Sequence, residues 1–138
     1  EAHGLALVEF TARSREAPTA ETIRAARAMF DTLAYPAVLH CKSGADRAGF
    51  MAALYLILRE NARVDEALGQ LSARYGHWRW SKTGILDAFL ERYRDEGESK
   101  GIGLIDWATH HYDPARLTAE FRPSFWSNFV VDRILRRE

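Results

Sequence analysis

Cysteine is nearly absent: one thiol, Cys41, stands in 138 residues. That excludes an intramolecular disulfide framework and a zinc site built on several cysteines, and it fits a reducing compartment. Net charge is lacking too. Lys plus Arg and Asp plus Glu number 19 each, for a formal charge of zero, so nothing draws the chain as a whole toward nucleic acid. No apolar run approaches the ~18 residues of a bilayer span. No charged start leads into the apolar stretch of a signal peptide, and internal repeats and low-complexity segments are missing. Against these absences stands a hydrophobic content of 47%, enough for a single domain over residues 1–138 with a real core. Composition leads to the expectation of a soluble, cytoplasmic, globular domain.

Two short apolar runs read as strands, Leu5 to Phe10 and Pro36 to His40, the second short and bounded like a buried parallel strand. Between them, Thr19 is placed to cap a helix that carries Ile23, Ala26 and Phe30 on one face and ends at Tyr35-Pro36. Ala48 to Glu60 is apolar nearly all round (Phe50, Met51, Leu54, Leu56, Ile57, Leu58), the pattern of a helix in the middle of a domain. Further helices are expected over Val64 to Tyr75, Thr83 to Arg94, Leu104 to His111, Pro114 to Phe121 and Ser124 to Arg137, with Gly97 to Gly103 as the one linker-like stretch. The expected fold is α/β, a parallel sheet around a central strand-loop-helix unit, with a helical C-terminal part. Two strands are too few for the sheet that so apolar a central helix implies, so further strands are expected upstream of residue 1 or from elsewhere.

The chemistry is concentrated in His40-Cys41-Lys42-Ser43-Gly44-Ala45-Asp46-Arg47. Strand, tight loop, helix is an arrangement in which backbone N–H groups converge on one point. Gly44 permits a backbone conformation or close approach that a side chain would block. Cys41 faces those amides and the positive end of the following helix, both of which favour the thiolate. Arg47 offers a planar, two-pronged donor suited to two phosphate oxygens. An anion cradle with a nucleophile at its floor suits phosphoryl transfer through a cysteinyl-phosphate.

These residues resemble the H-C-x-x-G-x-x-R signature of the cysteine-dependent protein tyrosine and dual-specificity phosphatases, and most nearly bacterial dual-specificity-like members. The resemblance runs over roughly residues 5 to 75, and it implies a catalytic core of about 5–95 with a helical extension of about 101–138. It implies Cys41 as nucleophile, Arg47 as phosphate clamp, and His40 as the support that holds the loop and tunes the thiolate. The amides of Lys42, Ser43, Gly44, Ala45, Asp46 and Arg47 would bind phosphate, and no metal or other cofactor is implied. Two departures stand out. Ala48 occupies the place where the family usually has Ser or Thr assisting the cysteine as leaving group. No aspartate lies where the family carries its general acid. The candidates are Asp46, whose position resembles the C-x-x-G-x-D-R loop of the myotubularin lipid phosphatases, and Glu16 or Glu9 on the early loop, since Asp31 falls inside a helix.

Lys42 reads either as a solvated surface lysine or, by resemblance, as the basic residue of phosphatases that act on phosphoinositides. The implied partner is therefore a phosphorylated protein, or a phosphorylated lipid or small molecule, and not nucleic acid. Tyr75 to Lys82 (YGHWRWSK) is dense in aromatic and basic side chains and reads either as a pocket rim or as helix-end packing. His110 and His111 are adjacent and diverge on a helix, which argues against a metal pair. Trp126 and Phe129, with Arg122, Arg133, Arg136 and Arg137, fit either packing on the domain or peripheral contact with an anionic membrane through the C-terminal helix. Two rivals remain. One is a rhodanese-type sulfurtransferase, whose loop is usually one residue shorter. The other is a pseudophosphatase that binds phosphate without turnover.

Overall fold

Helix is the only regular secondary structure among residues 3–122, which the computed structural model describes. The helix α1 spans Ala20–Thr32, and Thr19 caps it: the Thr22 N–H donates to its hydroxyl at 3.2 Å, satisfying one of the amides a helix start leaves open. Ile23, Ala26 and Phe30, at the three- and four-residue spacing of one helix face, are its buried residues. The helix stops before Tyr35, whose hydroxyl donates back to the Phe30 carbonyl at 2.7 Å.

The second helix, α2 over Asp46–Arg59, is the core element its sequence predicts. Phe50, Met51, Ala53, Leu54, Ile57 and Leu58 are all buried along it. Arg27 and Arg59 meet on Asp31 (3.0 and 2.5 Å), and Arg27 also donates to the Leu58 carbonyl at 3.0 Å, so α1 closes the open carbonyl end of α2.

The remaining helices are α3 (Val64–Ala67), α4 (Ile85–Glu96), α5 (Leu104–His110) and α6 (Pro114–Glu120). An aromatic cluster joins α4 to α5: Phe89 and Tyr93 lie 5.6 and 5.4 Å from Trp107, which stacks on Tyr112 at 4.9 Å. Such contacts add about 0.5–1.5 kcal/mol each beyond the area they bury. On its other side Phe89 faces Phe50 of α2 edge-on at 6.0 Å. Among the described residues, no helix is long and apolar enough to cross a membrane.

The α/β expectation is overturned: no strand occurs among the described residues, and with it goes the parallel-sheet core. Leu5 to Phe10 and Pro36 to His40 carry no ladder partner. A strand exists only through the backbone it pairs with, so apolar composition alone does not make one. Leu5, Leu7 and Val8 are 76%, 75% and 53% exposed, and Val38 is 88% exposed, so neither run alternates a buried with an open face. The single helix expected over Val64 to Tyr75 is also corrected. After α3 the chain tightens into 3₁₀ turns at Leu68–Gln70 and Ala73–Tyr75, because Leu71 leaves helical geometry (φ −100, ψ 73) while its side chain stays buried. The Gly97 to Gly103 stretch is packed rather than a linker: it forms a 3₁₀ turn at Glu98–Lys100, and the Val64 N–H donates to the Glu98 carboxylate at 3.0 Å. The expected helix from Ser124 to Arg137 lies outside the described residues.

Candidate functional site

The sequence from Cys41 to Arg47 bends through residues 42–45 and enters α2 at Asp46. Gly44 sits at φ +70, a left-handed conformation that side chains resist, so the turn that aims the loop amides inward depends on it. Ala45 and Asp46 are buried; Lys42, Ser43, Gly44 and His40 are exposed; Cys41 and Arg47 are half-buried. Partial burial pushes the Cys41 thiol up. Hydrogen bonds from the backbone amides of Ala48, Ser43 and Gly44, together with the Arg47 charge, outweigh it and leave the thiol below its ordinary value. Ala48 thus contributes to the thiolate site through its backbone, where a hydroxyl is absent.

Asp46, the first residue of α2, is buried and meets His77. Its Oδ1 lies 2.8 Å from Nδ1 of His77, and Nε2 of the same ring lies 2.5 Å from Oδ2 of Asp87 on α4. All three side chains are buried, His77 to 1% exposure. Burial alone would push the imidazole down, but the hydrogen bonds and charges of the two carboxylates overcome it and raise His77 to about 9. Gly84 makes the approach possible: a Cβ there would sit 1.8 Å from the Arg79 carbonyl oxygen, so only glycine lets the His77 loop lie this close to the start of α4.

The other acids named from the sequence lie elsewhere. Glu16 is exposed and paired with Arg13 at 2.8 Å. Asp31 is committed to Arg27 and Arg59, which hold its carboxyl below the usual range. Glu9 is exposed. Cys41 thus lies just before the turn at 42–45 and Asp46 and Arg47 open α2 just after it, while Glu16 lies on a separate segment. His77 and Asp87 were missed as site residues. His77 belongs to the aromatic and basic stretch already singled out, of which Tyr75, Trp78 and Trp80 are exposed. The signal that would have found the pair is a histidine and an aspartate at positions that pack toward α2, a relation no local spacing reveals. Among the described residues, no group of three His, Cys, Asp or Glu is arranged to hold a metal ion.

The family model described as the tyrosine phosphatase family matches residues 5–75, which takes in the first three helices, the loop and the 3₁₀ turns before His77. Neither a curated protein nor a solved structure matches the chain.

Proposed function

Because the chain belongs to the tyrosine phosphatase family, we propose that it hydrolyses phosphate monoesters through a covalent cysteinyl-phosphate. The observation that carries this reading is the Cys41 thiol, held below its ordinary value by the amides of Ala48 in α2 and of Ser43 and Gly44 in the loop, together with the Arg47 charge. The thiolate Sγ attacks phosphorus, the bond from phosphorus to the leaving oxygen breaks, and that oxygen takes up a proton. Water then attacks the phosphorus, releasing phosphate and restoring the thiolate. Arg47 and the loop amides would hold the phosphoryl oxygens, a task for which a rigid fork and preorganised N–H donors are suited. Asp46, which opens α2 directly before Arg47, is the acid proposed for the leaving oxygen, its carboxyl becoming protonated once the phosphate dianion is bound. With Oδ1 engaged by His77, the proton would travel on Oδ2. Lys42, exposed beside the thiol, favours substrates with more than one negative group, such as phosphoinositides, as well as phosphotyrosine.

Ala48 supports a second reading, a phosphate-binding module that turns over slowly or not at all. One experiment addresses both. Cys41→Ser should abolish hydrolysis of p-nitrophenyl phosphate while leaving inorganic phosphate binding measurable. Activity near the wild-type level in that variant would sink the nucleophile. Phosphate binding by the unmodified protein without any burst of nitrophenol would favour the binding module.

A further inference from the structure

We propose that His77 is a positioning residue of the phosphate loop, clamped between Asp46 of α2 and Asp87 of α4 so that the first turn of α2, and Arg47 with it, stays in register with Cys41. The inference rests on the phosphatase reading above and extends it to a side chain outside the signature.

The geometry carries it. Both ring nitrogens of His77 lie within hydrogen-bond reach of carboxylate oxygens, at 2.8 and 2.5 Å. A neutral imidazole has one donor and one acceptor, and the acceptor would face a carboxylate lone pair across one of these contacts. Two donating nitrogens, those of the imidazolium, satisfy both. The charged groups that act on the ring are Asp46 from α2 and Asp87 from α4, and both favour that form. Because the trio is buried, water competes little for these bonds, and removing one carboxylate leaves the others with an incomplete set of partners.

The consequence reaches the loop because Asp46 adjoins Arg47 and the Ala48 amide, both of which act on Cys41. No side chain of the N-cap residue, Ala45, ties down this helix start. The Asp46–His77 bond is a side-chain anchor for the first turn where the N-cap residue supplies none. Loss of the ring proton takes away one of its two donated bonds and loosens that anchor.

The test is Asp87→Asn, which keeps shape and an acceptor oxygen but loses the charge. Two readouts are needed. By NMR, the His77 ring of the unmodified protein should titrate near 9, and in the variant distinctly lower. The ratio of variant to wild-type kcat on p-nitrophenyl phosphate should fall on the order of tenfold between about pH 6 and about pH 8, the size of a titration shift of one to two units. KM should move less. Taking the ratio cancels ionisations that both proteins share. Affinity for inorganic phosphate should weaken over the same interval, which reads the loop even without turnover. A His77 titration near its ordinary value in the unmodified protein, or activity and phosphate-affinity ratios flat with pH, overturns the clamp. Absence of Cys41-dependent turnover alongside the expected titration and phosphate-affinity shifts overturns the phosphatase reading and leaves the clamp standing.

Discussion

Arg47 and Asp46 are neighbours in the chain with opposite surroundings, and each makes a separate prediction. Arg47 is half-buried beside the thiol, where its charge already favours the thiolate. In the proposed reaction its fork would meet oxygens whose charge rearranges as the phosphoryl group moves. Lysine keeps the charge and loses the fork. Arg47→Lys is therefore expected to lower kcat by on the order of 10²-fold or more, the scale of a lost preorganised donor. A change confined to KM in steady-state kinetics would count against this role. Asp46 is buried, with one oxygen given to His77. If its second oxygen delivers the leaving-group proton, Asp46→Asn should cripple hydrolysis of alkyl phosphates and spare aryl phosphates with good leaving groups. Equal losses on both classes would make Asp46 purely an anchor and return the acid to Glu16. The signature residues were legible because a nucleophile, a glycine and an arginine at fixed spacing are local facts. His77 and Asp87 were not, because His77 meets Asp46 across 31 residues and Asp87, on α4, reaches that carboxylate only through the His77 ring.

At the scale of elements, helices with local punctuation were readable and strands were not. Thr19 and the Ile23, Ala26, Phe30 spacing gave α1, and the all-round apolar pattern gave α2 and its central place. Leu71 broke the expected third helix, because burial of one side chain pulled the backbone off its helical course. Leu5, Leu7 and Val38 suggested strands through composition, yet pairing is a property of two segments and no single run encodes it. The clamp between α2 and α4 also has a thermodynamic signature. His77 is raised from 6.5 to about 9 in the folded protein. Its contribution to stability is therefore complete below about 6.5 and is lost as pH rises through about 9, on the order of 3 kcal/mol across that window. Denaturant midpoints measured at neutral and alkaline pH should show the loss, and Asp87→Asn should show less of it. An identical pH dependence in the two proteins would mean that the charge pair adds nothing to the fold.

For the molecule as a whole, kinship was more legible than architecture: the family match bears out the resemblance of the loop, while the sheet expected around it is absent among the described residues. Cys41 is the lone cysteine, half-buried and biased toward thiolate. A thiolate attacks peroxide to give a sulfenic acid, which ordinarily is rescued by condensing with a nearby thiol. Within these 138 residues there is no second thiol to offer that refuge. The next oxidation, to the sulfinic acid, is then opposed by thiols from outside these residues or by condensation of the sulfenic acid with a backbone nitrogen. Mass spectrometry after peroxide treatment should find the sulfinic form accumulating without glutathione and a mixed disulfide with it. Full recovery of the thiol by dithiothreitol in both cases would contradict this. A fold that brings three amides and a guanidinium to bear on one sulfur atom gains its reactivity and its oxidative fragility from the same source.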